Sequence, residues 1–294
     1  MTTLGVMRLD VPNNTTLKFK SNKGKDVANA FGWFALFALS SILIIPALMI
    51  VGCLADWNLV VDGVYAITDV LLAAQKGNFS IESVGMSTVV AASNFCLVSL
   101  IASYIPTAIA MFVRRDVDGG YSKFEAKELY KWLTCFMVVN ALSQFACEFV
   151  ATIPAIAEQS NVLTSVGCLS TAGNPLLALF ATGIMAPIVE EITLRRGVQR
   201  SLCKINPAFG IITASVVFGL MHGNLIQGVF AAFMGMFLGY AYYKTNNLWY
   251  STLMHIAVNS TSVLISLSGA NLYVVFSLMP LLFGLLYFIS RREK

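Results

Sequence analysis

Residues 174–195 read NPLLALFATGIMAPIVEEITLR, an apolar run that carries two adjacent carboxylates, Glu190 and Glu191, near its end and Arg195 four residues after the second. An ionised group inside hydrocarbon costs at least ~3 kcal/mol even on lenient insertion scales, so acids at this depth are candidate functional groups. Glu191 and Arg195 fall on one helix face, where an ion pair lowers the cost of holding both. Glu190 is rotated by about 100° from Glu191 and points elsewhere, so one acid can be structural while the other stays free. A plainer account has both acids capping a cytoplasmic helix end while Arg195 and Arg196 reach out to headgroups.

Composition sets the class around this stretch. Apolar residues are 57% of 294 and charged residues only 12%, with a mean hydropathy of +0.75. A soluble domain carries about twice that charge, so the pattern is that of an all-α polytopic membrane bundle. Apolar runs recur at about residues 31–55, 87–113, 132–155, 174–195, 207–222, 225–243, 248–266 and 272–290. Each lies near the ~17–25 residues that a helix needs to cross a bilayer, which predicts about eight transmembrane helices. With the N-terminus inside, this topology puts every lysine and arginine except Lys76 on the cytoplasmic side, and both termini are then cytoplasmic.

Three segments follow. Residues 1–30 form a polar tail without the apolar core of a cleavable signal peptide. Residues 31–173 hold the first three helices and their loops, including an amphipathic stretch at 64–74 suited to lying on the bilayer. Residues 174–294 hold five helices and the candidate chemistry. Pro187 should free the Gly183 carbonyl and kink its helix just before the acids. Ala231, Gly235 and Gly239 make a small-residue ladder for close packing inside the chain, with a homodimer face as the alternative. The six cysteines show no CxxC pair and mostly fall in helices as small apolar fillers, with a Cys53–Cys168 bridge left open.

His222 ends the pentad Phe218-Gly219-Leu220-Met221-His222, and His255 begins His255-Ile256-Ala257-Val258-Asn259. They are the only two histidines in the chain, and each sits in a membrane segment with a same-face companion four residues away. A lone buried histidine is usually a packing residue. Two of them downstream of a diacid supply, with the carboxylates and a carboxamide, a base, proton donors and hydrogen-bond donors near neutral pH.

The order EExxxR, FxxxH, HxxxN, each on its own helix, resembles the CAAX-protease and bacteriocin-processing (CPBP, Abi) family of intramembrane endopeptidases. The resemblance covers residues 186–259 and extends to Gly235-Met236-Phe237-Leu238-Gly239-Tyr240 and Asn247-Leu248-Trp249-Tyr250-Ser251. The chain departs from the pattern beside Arg195, where Leu194 and Arg196 replace the common aromatic and glycine, with Gly197 one residue late. The resemblance implies peptide hydrolysis without a covalent intermediate or a cofactor. Glu190 with His222 would activate water, His255 and Asn259 would donate to the oxyanion, and Glu191 with Arg195 would position the first acid. It also implies peptide or protein substrates presented at the lipid bilayer, no nucleic acid, and a prokaryotic plasma-membrane protein whose site opens toward the cytoplasm.

Other readings stay open at this level. Glu190, His222 and His255 could form a three-ligand zinc site with water fourth, although no HExxH is present, no carboxylate evidently backs either imidazole, and Asn259 is a poor zinc ligand. A non-catalytic bacteriocin-immunity or scaffold protein could use the same pocket to bind, and a proton-relay transporter is disfavoured by the lack of an internal repeat. Depth imposes one constraint. His222 lies ~22 Å along its helix from Pro207, whereas Glu190 and His255 lie within ~10 Å of the boundary, so that helix must begin in the cytosol or its hairpin must stop short of the outer face.

Overall fold

Asn174 starts the helix on which the others are arranged. Its backbone is extended, its side chain accepts from the N–H groups of Leu176 and Leu177 at 3.0 and 3.1 Å, and Pro175 occupies the first turn, where a missing N–H costs nothing. The Asn174 N–H in turn donates to Asn94 Oδ1 at 2.8 Å, fixing where this helix leaves the third one.

The computed structural model describes residues 22–42, 57–76, 81–113, 122–154, 172–223 and 225–268. These form eight principal helices: α1 (Lys23–Ile42), α2 (Trp57–Gln75), α3 (Met86–Val113), α4 (Ala126–Ala151), α5 (Pro175–Cys203), α6 (Pro207–Leu220), α7 (Leu225–Thr245) and α8 (Leu248–Ser268). Among the described residues there is no strand. The apolar run at 272–290 and the Cys53–Cys168 pair lie outside the described residues.

Among the described residues three helices are long and apolar enough to cross a membrane: Met86–Ile109 within α3, α5, and α7. The polar side chains Ser251, Thr252, His255, Asn259 and Ser260 dilute α8, and α6 is apolar but has only 14 residues. His222 follows α6 by two residues, in the turn that leads toward α7.

Two expected boundaries move. Helix α1 begins at Lys23, about two turns ahead of the apolar run, because Asn22 caps it by accepting from Lys25 N at 3.3 Å and Asp26 in its first turn faces Lys204 of α5 at 3.9 Å. Helix α5 runs on to Cys203 rather than ending at Arg195, since Arg195 and Gln199 are fully buried and bonded to protein. The segment at 64–74 lies within α2, whose Ala66 and Val70 pack on Val89 and Ala92 of α3.

Helix α5 has an irregular backbone. Leu179–Met185 and Ile192–Gln199 are wound with π-helical bonds, on either side of the α-helical Ala186–Glu191 that carries the two acids. Such widening recurs at functional sites because it frees carbonyls and turns side chains. The carbonyl of Gly183, which Pro187 cannot satisfy, accepts from Ser260 Oγ of α8 at 3.1 Å.

Close approaches set the packing around α5. Gly239 of α7 faces Gln199 and Arg195, and Gly235 lies over Ser215 and Phe218 of α6, so the small-residue ladder is spent on contacts within the chain. Helix α1 closes the other side, with Trp33 seated on Gly197 and packed with Ile192, Val198 and Leu202. A Cβ at position 197 would lie 2.5 Å from Trp33 Cγ. Gly197→Ala should therefore destabilise the protein by about 1–3 kcal/mol, seen as a lowered unfolding temperature in detergent. Trp33→Leu in the same background should recover part of the loss, and an unchanged melting curve for Gly197→Ala would dislodge α1 from this position.

Candidate active site

The backbone geometry just described aims five of the six candidate side chains at one region between α5, α6 and α8. Glu191, fully buried, accepts from Arg195 Nε at 3.0 Å through one oxygen and lies 3.1 Å from His255 Nδ1 through the other. The Ser251 hydroxyl, near this carboxylate, donates to the Leu248 carbonyl at 3.1 Å. Since a carboxylate can only accept, His255 Nδ1 carries the proton, and its Nε2 is turned toward Glu190 Oε2 at 3.7 Å. With His255 protonated, two carboxylates, one guanidinium and one imidazolium sum to zero charge. That neutrality is what a low-dielectric interior asks of a cluster of ions.

Arg195 is held from several sides. Its Nη1 donates to Gln199 Oε1 at 3.4 Å, and Gln199 Nε2 donates to the Gly239 carbonyl at 2.7 Å, so the chain Glu191–Arg195–Gln199–Gly239 pins α5 to α7. Its guanidinium carbon lies 5.8 Å from the centre of the Phe218 ring. Phe218 also meets both imidazoles edge-on, His222 at 5.0 Å and His255 at 5.5 Å between ring centres. One phenyl ring thereby sets the relative placement of the arginine and the two histidines.

His222 lies ~22 Å along the helix axis from Pro207, by the ~1.5 Å rise per residue, yet Phe218 one turn earlier brings it to the rim of this cluster. Its Nδ1 lies 2.9 Å from the Phe218 carbonyl. A carbonyl only accepts, so Nδ1 carries the proton and Nε2 of the neutral ring keeps a free lone pair. Among the described residues His222 makes no direct contact with Glu190; the two border the same region without touching. Asn259 stands apart from the group: its Nδ2 donates to the Thr182 carbonyl, in the first π-helical stretch, at 3.2 Å. One of its two N–H bonds is committed there, and the second is left over.

A carboxylate does back one imidazole, namely Glu191 behind His255, a pairing that linear spacing does not announce. The three residues considered as zinc ligands do not gather, however. Among the described residues no group of three or more His, Cys, Asp or Glu side chains could hold a metal ion.

Residues 172–261 match the model of a protein family described as type II CAAX prenyl endopeptidase Rce1-like. The candidate membrane peptidase YdiL of Bacillus subtilis (strain 168) is 28% identical over 99 residues, which is 33% of this chain and 41% of that protein. Over residues 172–261 the chain is similar to the CAAX-protease family. The chain thus spans well under half the length of the curated relative that it matches. No solved structure matches. Together with the three membrane-length helices, the family match makes the chain an integral membrane protein.

All six residues singled out from the sequence fall in the matched segment, on α5, on α8 and, for His222, just past the end of α6. Gln199, Ser251, Thr182 and Gly239 were not singled out for the polar contacts they make. An i,i+4 continuation from Arg195 to Gln199 was the one signal available for any of them. Glu191 and Glu190 differ in what surrounds them: the side chain of Glu191 is 0% exposed and that of Glu190 16%. Glu191→Gln should lower stability by about 3–5 kcal/mol, because it strands the Arg195 charge in the interior. Glu190→Gln should cost about 1 kcal/mol or less. Unfolding curves of the two variants side by side test this, and equal losses would show that the acids are not distinguished by their partners.

Proposed function

We propose that the chain is an intramembrane endopeptidase of the glutamate type, hydrolysing peptide bonds of peptides or proteins presented at the membrane. The observation that carries this reading is the buried constellation in which Glu191 orients His255 while Glu190 is left partly accessible beside His255 Nε2. Groups that are dedicated to structure are fully enclosed; Glu190 is not. The name of the matched family, prenyl endopeptidase, supports the same reaction class and puts a prenylated C-terminal peptide among the substrates to try.

In this mechanism Glu190 takes a proton from water while the free His222 Nε2 holds the same water from the other side, a pairing that removes the need for a serine or cysteine nucleophile. The developing oxyanion is met by a protonated His255 and by the uncommitted N–H of Asn259, donors that are strongest where water is excluded. Glu191 and Arg195 act one step back. Their contact is to His255 rather than to Glu190, so they set the ring that faces the substrate. No metal takes part, and the eight-span topology with a cytoplasmic mouth places the site within reach of a membrane-tethered chain.

The test uses purified protein in nanodiscs with fluorogenic peptides, including one ending in a prenylated cysteine, and a chelator in half the samples. Glu190→Ala and His222→Ala should each lower kcat/KM by about 10²–10⁴-fold, and the chelator should change nothing. Loss with chelator and recovery with zinc would replace the glutamate mechanism by a metal one. A wild-type protein that cuts none of the peptides would favour a non-catalytic immunity or scaffold role.

A further inference from the structure

One polar group near the cluster has no assigned part. Tyr104 lies in α3, in the N-terminal half that the family match does not reach, and is only 4% exposed. Its ring packs with Ala186 and Val189 of α5, the residues four before and one before Glu190. On the opposite side Phe37 of α1 holds it at 6.4 Å between ring centres. Among the described residues no protein group hydrogen-bonds its hydroxyl. A hydroxyl that no protein group satisfies is one for water or a ligand to meet.

The direction in which that hydroxyl is useful follows from its surroundings. Glu190 shares a helix face with Ala186, four residues before it, against which the Tyr104 ring packs, while His255 Nε2 stands 3.7 Å from the same carboxylate. Glu190 is therefore approached by an imidazole from α8 and by a phenol from α3. A water or substrate oxygen that reaches Glu190 comes within the field of both.

We propose that Tyr104 is a further catalytic residue of this site, donating a hydrogen bond to the oxygen of the water on which Glu190 acts. The inference rests on the endopeptidase reading above. Tyr104 keeps its proton throughout; it orients the water and transfers nothing. A phenol suits this task in a membrane interior, because it is a donor that carries no charge at neutral pH and its ring supplies its own apolar packing. It also gives the N-terminal helices a chemical part, beyond enclosing the core.

The decisive variant is Tyr104→Phe, which removes one oxygen and leaves the packing against Ala186, Val189 and Phe37. Assayed on the same peptides in nanodiscs, it should lower kcat about ten- to hundredfold with KM changed less than about twofold, and should leave the melting temperature where it was. Phe37→Leu serves as the packing control, lowering the melting temperature while keeping kcat. Wild-type kcat in Tyr104→Phe, with Glu190→Ala inactive beside it, would overturn the tyrosine and leave the endopeptidase reading standing. Equal loss of kcat in Phe37→Leu and Tyr104→Phe would reduce Tyr104 to packing and likewise overturn it. A wild type inert on every peptide, or a Glu190→Ala variant as active as wild type, would remove the reading on which the proposal stands.

Discussion

A carboxylate with no solvent contact, in the middle of a membrane helix, holds its charge only if donors converge on it. Glu191 has two: the Arg195 guanidinium from its own helix and the His255 imidazole from α8. Much of the second half of the chain can be understood as what that convergence requires. Helix α8 must lie against α5 at the depth of the acids, and Arg195 must have its other side met by Gln199 and by the face of Phe218. Helix α7 must present a glycine, because any side chain at position 239 would displace Gln199. The ion pair is weak evidence for stability on its own, since desolvation offsets much of its attraction. Its consequence is placement: it ties His255 of α8 and Arg195 to one carboxylate of α5, while Arg195 Nη2 has no hydrogen-bond partner among the described residues.

The π-helical winding of α5 serves the same end by a different route. A regular helix consumes its own carbonyls and offers its neighbours only side chains. Here Thr182 and Gly183 give theirs to Asn259 and Ser260 of α8, so α5 and α8 are joined by backbone as well as by charge. These two bonds lie on the far side of the acids from Arg195, and the α-helical turn with Glu190 and Glu191 is thereby held at both ends. Proline at 187 makes the winding nearly unavoidable, since it has no N–H to offer Gly183.

The acids and histidines were legible in the sequence because charge and imidazole are conspicuous against an apolar background. Their spacing was enough to pair Glu191 with Arg195, which are neighbours on one helix. The contact between Glu191 and His255 was not legible, because it spans two helices and no local rule links residues 64 apart. Helix ends were misplaced for a related reason. The polarity of Arg195, Arg196 and Gln199 looks like a membrane boundary, and it takes the partner on α7 to turn that polarity into helix interior. At α1 the capping by Asn22, a single hydrogen bond, outweighed the start of the apolar run. Tyr104 carried no signal at all: one tyrosine in an apolar helix is unremarkable until its neighbours are known.

The shortness of α6 has a consequence for the lipid. Its exposed residues Phe209, Ile212, Val216 and Leu220 recur on one face, so lipid tails meet this helix directly. Fourteen residues span about 21 Å, against about 30 Å of hydrocarbon in an average bilayer. A helix this short is matched by a thinner bilayer alongside it or by flanking residues that reach outward, and each ångström of mismatch carries a modest elastic cost. The wall of the site nearest His222 is therefore coupled to membrane thickness. On the proposed endopeptidase reading, acyl-chain length becomes a variable of the chemistry.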